Sequence, residues 1–176
     1  MEILGFLLLG LVAGIAVLLM LASTRPNQFR TERSLQIAAA PEALFPLINN
    51  LREMNTWNPF ALRETGGTAI YSGAASGPGQ KFEFAGPKSG AGFIEILAAT
   101  PPSNVDLRRL LVKPFKADNL VEFKLMPAGA TTNVTWAMSG KQPLLAKVMT
   151  LFVDCDRMVG KEFEAGLANL KKKAEH

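Results

Sequence analysis

The sequence predicts an α+β protein: a curved antiparallel sheet wrapped around one long C-terminal helix, two short helices after the first strand, and one apolar helix at the N-terminus. Three observations carry this. Residues 3–22 contain no charged side chain. Between Thr68 and Lys141 the chain runs in short alternating apolar and polar stretches separated by turn residues, the pattern of antiparallel strands with one dry face. From Leu144 to Lys173 apolar residues recur at three- and four-residue steps, the period of an amphipathic helix.

The N-terminal run comes first. A helix of roughly 20 apolar residues spans a hydrocarbon core of about 30 Å. A secretory signal would bring a basic n-region, a shorter apolar core and a small-residue cleavage site. Here the only charged side chain before the run is Glu2, and Leu21-Ala22-Ser23 is a poor cleavage motif. The run is therefore read as a retained transmembrane helix, with a signal peptide as the alternative. Gly10 and Gly14 form a single GxxxG, a spacing that lets two such helices approach closely; lipid-facing glycine is the plainer reading. Arg25, Arg30 and Arg33 follow the run, and the positive-inside rule then puts the rest of the chain in the cytoplasm. The expectation is a single-pass inner-membrane protein with an anchor over 1–24, a linker over 25–30 and one folded domain over 31–176.

Charge and cysteine usage narrow the partners. The formal net charge is +4 and the pI near 9.4. Much of the excess is local, in the arginines after the apolar run and in Lys171, Lys172 and Lys173. Basic groups beside a membrane helix face anionic lipid, at about 1 kcal/mol each. A nucleic-acid surface needs a basic stripe with interleaved aromatics, and the sequence has none, so nucleic acid is not an expected partner. A single cysteine, Cys155, excludes an intramolecular disulfide.

In the expected domain, Leu35 and Ile37 alternate with Ser34 and Gln36, as in a half-buried strand. Pro41 and Glu42 suit a helix start, and Leu44, Phe45, Leu47 and Ile48 make a helical stripe that Pro46 confines to a turn or two. "MNTWNPF" breaks it. In the strands, Phe82 and Phe84 share a face against Lys81 and Glu83. Val121, Phe123 and Leu125 share one against Glu122 and Lys124, and Val134, Trp136 and Met138 share another. The closing helix would be about 45 Å long at 1.5 Å per residue, with Phe152 and Cys155 on its apolar stripe. Gly160 and Gly166 each weaken a helix by up to about 1 kcal/mol relative to alanine, so they are expected where it passes close to the sheet or lines a space.

The stretches "FRTERSLQIAAAPEALFPLINNLREMNTWNPF", "YSGAASGPGQKFEF", "GFIEI", "KPFKADNLVEFKL", "TTNVTWAMSG" and "MVGKEFEAGLANLK" occur in this order over about residues 29–174. Together they resemble the SRPBCC (START-like) superfamily, within it the polyketide cyclase/dehydrase-like group. The resemblance implies the helix-grip fold and a deep, mostly apolar cavity between sheet and C-terminal helix, suited to a hydrophobic ligand. Fold alone does not fix function, since the superfamily includes lipid carriers, cyclases, oxygenase domains and chaperone activators.

The search for chemistry returns little. Metal sites need spaced His, Cys or carboxylate ligands, and the one histidine is His176, the last residue. No metal and no cofactor is expected. Cys155 reads as a buried structural thiol, with no histidine near to activate it. "GGTAIYSGAASGPGQK" and "SGKQP" contain no phosphate loop. "NVT" at 133–135 sits within a strand. Glu95 shares a face with Phe93 and Leu97, and Arg109 shares one with Val105, Leu107 and Leu111. If those faces point inward, the two are polar groups in an apolar cavity and the candidates for acid–base work. If they point outward, they are surface charges. The aromatic residues on or above the concave face give the cavity candidates: Trp57, Phe82, Phe84, Phe93, Phe115, Trp136, Met138 and Phe152.

The leading functional expectation is a membrane-anchored binder or carrier of a hydrophobic small molecule of lipid, isoprenoid or quinone type. The tether makes physical sense of the cavity, because an apolar ligand lives in the bilayer. Two alternatives stay open: a non-catalytic accessory subunit of a larger membrane complex, and an enzyme of the cyclase/dehydrase type.

Overall fold

Seven strands, β1 (Gln28–Ile37), β2 (Thr68–Gly73), β3 (Gln80–Gly86), β4 (Gly90–Thr100), β5 (Asn104–Lys113), β6 (Ala117–Ala128) and β7 (Thr131–Lys141), form one curved antiparallel sheet in the order β1-β7-β6-β5-β4-β3-β2. The computed structural model describes residues 2–175, so His176 lies outside the described residues. From β2 to β7 each strand pairs antiparallel with the next. The alternating stretch from Thr68 to Lys141 is therefore a meander, and β1 completes the edge beside β7. The helices are α1 (Glu2–Ser23), α2 (Pro41–Ile48), α3 (Leu51–Met54), α4 (Pro59–Leu62), α5 (Leu144–Met149) and α6 (Cys155–Ala174).

Two sequence expectations are corrected here. Three short helices follow β1, not two. The extra one, α4, has a local cause: Asn58 caps it by accepting from the Phe60 N–H, and Pro59 supplies the pre-set φ of a first helical residue. The long closing helix is also interrupted. It stops at Met149, turns through 150–154 and restarts at Cys155. Val148, Thr150 and Val153 are β-branched and weak helix formers. Thr150 Oγ1 donates back to the Lys147 carbonyl at 2.8 Å, a bond that competes with helix propagation. Asp154 then stands just before Cys155, where a short acidic residue favours a new helix start. Cys155 is consequently half-buried at a helix end and not inside a packed stripe.

The chain divides into two compact units, residues 1–29 with 141–155, and residues 30–140 with 156–176. In the first, α1 packs against α5. Lys147 is buried, and its Nζ donates to Asn27 Oδ1 at 2.7 Å, while the Gln142 N–H donates to the Asn27 carbonyl. Apolar side chains of this unit remain exposed, on α1 at Ile3 and at most positions from Phe6 to Leu21, and at Leu144, Leu145, Met149, Phe152 and Val153, while Ala22 is buried. Among the described residues, Gly5–Ser23 is the one helix long and apolar enough to cross a membrane.

In the second unit, α6 covers the concave face of the sheet with Phe163, Gly166, Leu167 and Leu170 buried. Gly166 lies so close that a Cβ there would sit 2.5 Å from Trp136 Cζ3 and 2.9 Å from Pro59 Cδ. At Gly160 a Cβ would run into the Arg33 guanidinium. Arg33 bridges Asp156 at 2.9 Å and Glu164 at 3.0 Å, and Arg30 bridges Glu122 at 2.6 Å. Two of the three arginines counted as flanking charges thus belong to β1 and are tied to the sheet and α6. β1 itself begins at Gln28, within the stretch read as a linker.

Candidate functional site

Residues directly opposite in an antiparallel pair point to the same face of the sheet. Register therefore lines up one inward row across five strands: Tyr71 with Phe82, Phe82 with Ile94, Ile94 with Arg109, and Arg109 with Asn119. Along β5 the inward positions are Val105, Leu107, Arg109 and Leu111. The first two are fully buried. The last two face a cavity of about 1230 Å³ bounded by β2–β5, the α4 segment, the Pro87–Gly90 turn and the first turns of α6. The concave face is thus filled at one end and open at the other.

The filled end is an aromatic cluster. Trp136 is ringed by Trp57, Phe60, Phe123 and Phe163 at centroid distances of 5.7, 6.5, 5.0 and 4.3 Å. Its indole Nε1 is buried and has no hydrogen-bond partner. The open end carries Tyr71, Phe82 and Phe84, with Tyr71 against Phe82 at 4.8 Å and Phe82 stacked on Phe84 at 6.0 Å. Asn55 donates to the Tyr71 hydroxyl at 2.8 Å and fixes that ring at the cavity wall.

Charged groups line the same space. Arg63 pairs with Glu162 at 2.9 Å. Glu64 accepts the Lys88 and Ser89 N–H groups through Oε2 at 3.1 and 2.8 Å, while its Oε1 is buried without a partner. Desolvation pushes the Glu64 carboxyl up, but the bonds from Ser89, Lys88 and Gly66 outweigh it and hold the group below the ordinary carboxylate range. Arg109 lies with its guanidinium carbon 5.9 Å from the Phe60 ring centre. Burial alone pulls its pKa down from the usual arginine value, with no carboxylate acting on it.

Of the residues singled out from sequence, Phe82, Phe84 and Arg109 line the cavity. Trp57, Trp136 and Met138 are buried in the core beside it and do not line it. Phe93 and Glu95 share a face as expected, but it is the outer one: Ile94 faces the cavity and Ile96 is buried, so the residues between point away. Lys81 confirms the side, standing opposite Glu95 in register with its Nζ 4.3 Å from the Phe93 ring. Glu95 is accordingly not in the cavity. Phe115 is 60% exposed in the β5–β6 turn, and Phe152 is 70% exposed in the other unit. Both sit where no packed face carries them.

Sequence reasoning missed Phe60, Glu64, Tyr71, Ile94 and Leu111. For Ile94 a signal existed. In "FIEIL" both faces read as apolar, and the glutamate within the Phe93 set marked that set as the wetter one. Glu64 gave no signal, because its role depends on the Lys88 and Ser89 amides, which only the fold brings to it. Among the described residues no group of His, Cys, Asp and Glu could hold a metal ion.

No curated protein matches the sequence. Solved structures do. Protein CV1439 from Chromobacterium violaceum superposes with a TM-score of 0.59 at 17% identity, over 86% of this chain and 99% of its own. Protein MLL2253 from Mesorhizobium loti gives 0.60 at 17%, over 82% and 95%. XoxI from Bacillus cereus gives 0.62 at 16%, over 84% and 98%. At these identities the likeness establishes the helix-grip fold alone. Residues 28–175 match the family model described as "Polyketide cyclase / dehydrase and lipid transport", and on that match the chain belongs to this SRPBCC family.

Proposed function

We propose that the protein is a membrane-anchored binder or carrier of a hydrophobic small molecule of lipid, isoprenoid or quinone type. The observation that carries this is the cavity of about 1230 Å³ on the concave face. It exceeds the roughly 300–1,000 Å³ usual for small-molecule sites, and it combines an apolar and aromatic wall of Phe60, Tyr71, Phe82, Phe84, Ile94 and Leu111 with charged groups beside it. Members of this fold family commonly bind hydrophobic ligands, and the family's description includes lipid transport. The anchor would be α1, whose apolar side chains are exposed around the helix. Arg25 and Lys147, in the same unit, lie on the C-terminal side of α1 and favour a cytoplasmic position for the rest of the chain.

Native mass spectrometry of the full chain, extracted from membranes in mild detergent, tests this. A lipid-sized adduct in the wild type, lost in Ile94→Trp, is expected, because the indole would occupy the cavity. An adduct unchanged by Ile94→Trp would put the ligand elsewhere. A stoichiometric protein partner with no small-molecule adduct would instead favour an accessory role in a larger membrane complex.

A further inference from the structure

Arg109 is a cation without an anion. It projects from the middle of β5 into the cavity wall, and among the described residues its side chain makes no hydrogen bond or ion pair. A buried charge is costly unless it is paired. The two carboxylates in the wall are otherwise engaged. Glu162 is bridged to Arg63, and Glu64 is pinned by two backbone amides that hold it in place. Four bases and two acids line the cavity, so the space carries a net positive charge of two. Asn119 stands next to Arg109 across the strand pair on the same face and is itself buried, which adds a polar neighbour and no charge. The aromatic row of Tyr71 and Phe82 runs away from Arg109 along the register through Ile94. Lys88 lies in the turn between β3 and β4 and Lys113 at the end of β5, both at the rim, whereas Arg109 stands in the middle of β5, so the cation on the inward row of the sheet lies at one end of a long apolar wall.

We propose that the cavity takes an amphiphile with an anionic head, a carboxylate or a phosphate monoester, whose head pairs with Arg109 while its tail lies along Ile94, Phe82, Phe84 and Tyr71. This rests on reading the cavity as a ligand site and adds the chemical class of the ligand. A planar guanidinium offers two parallel N–H donors, which match the two oxygens of either head. The pairing also gives the Arg109 guanidinium the anion that the cavity wall does not supply.

The test uses the full chain in mild detergent and three probes of equal tail length: palmitate, hexadecyl phosphate and methyl palmitate. Binding is followed by native mass spectrometry for wild type, Arg109→Gln, Arg109→Lys and Ile94→Trp. At least one of the two anions should bind wild type more tightly than the ester does, and the stronger of them identifies the head. Arg109→Gln should weaken that anion by about 10- to 100-fold, the usual range for a charge-assisted bond, and leave the ester unchanged. Arg109→Lys should keep most of the anion preference. Without ligand, Arg109→Gln should melt no lower than wild type, since it removes an unpaired charge. Equal binding of anions and ester, or an Arg109→Gln variant with unchanged anion affinity, overturns the head assignment while the cavity remains a ligand site. Displacement of hexadecyl phosphate by inorganic phosphate alone at the same concentration overturns the amphiphile in favour of a free-anion site. Failure of all three probes to bind wild type overturns the ligand-site reading itself. A clear fall in melting temperature for Arg109→Gln makes Arg109 a structural residue and ends the proposal.

Discussion

The indole of Trp136 lies flat on the ring of Phe163, with centroids 4.3 Å apart and planes within 10°. That contact joins β7 to α6, and Trp57, Phe60 and Phe123 close the remaining sides of the indole. The cluster separates the solid half of the concave face from the cavity. Trp136→Ala should therefore destabilise by about 3–5 kcal/mol, the cost of truncating a large buried aromatic. Binding of palmitate or methyl palmitate by the folded fraction should not change. Denaturant melts and probe titration check both halves. A loss under about 1 kcal/mol with altered binding would make Trp136 a cavity wall, contrary to its 4% exposure.

The two glycines of α6 should answer differently to the same substitution. Alanine favours a helix over glycine by up to about 1 kcal/mol. At Gly166 the new methyl meets Trp136 and Pro59, both held in the core, so Gly166→Ala should be net destabilising by about 1–3 kcal/mol. At Gly160 it meets the end of a flexible side chain. The Arg33 guanidinium can swing aside and give up partly exposed ion pairs worth little. Gly160→Ala should stay within about 1 kcal/mol of wild type. Equal losses in urea melts would mean that Arg33 is as rigidly held as Trp136.

These contrasts mark what the sequence could and could not convey. Strand alternation located the meander and the inward sets Val121, Phe123, Leu125 and Val134, Trp136, because period-two patterning survives wherever one face is wet. It failed at "FIEIL", where both faces are apolar and Glu95, with Lys81 opposite it, marks the outer set. The break at 150–154 was invisible to helical periodicity, since the apolar spacing continues through it while the Thr150 hydroxyl turns back on the Lys147 carbonyl. Arg109 was found because a lone base among Val105, Leu107 and Leu111 violates the pattern, whereas nothing local distinguishes Glu64 from a surface glutamate. The residues of the site that were legible are those that break a pattern.

Glu64 gives a pH signature. Its carboxylate is held below the ordinary range by amides of the Pro87–Gly90 turn against an opposing desolvation. A folded pKa below the unfolded one means a contribution to stability that is complete above the unfolded value, about 4.3, and lost as pH falls through the folded value. Glu64→Gln should then be less stable than wild type at pH 7, and the gap should be smaller at pH 3, because the contribution is lost as pH falls from the unfolded value through the folded one. Urea midpoints at the two pH values read this directly. A gap that persists unchanged at pH 3 would place the effect in packing and not in the charge.

The exposed apolar residues of α5 and the turn after it bear on what happens when α1 is removed. Residues 30–140 and 156–176 form a compact unit with its own core, so a chain lacking residues 1–24 should still unfold cooperatively. It should not become indifferent to lipid. In the full chain α5 packs on α1, and the truncation uncovers that side of α5 while Leu145, Met149 and Phe152 are exposed already. Burying such side chains is worth about 1.5–3 kcal/mol each when complete, so even partial insertion of three favours the bilayer interface. The truncated chain should float with phosphatidylcholine vesicles in a density gradient and resist a high-salt wash, because the attraction is apolar and unscreened. Changing Leu145, Met149 and Phe152 together to serine should return it to the soluble fraction with an unchanged melt. If the truncated chain with its native α5 stayed soluble beside vesicles, this surface would have no affinity for lipid and α1 would be the sole membrane contact.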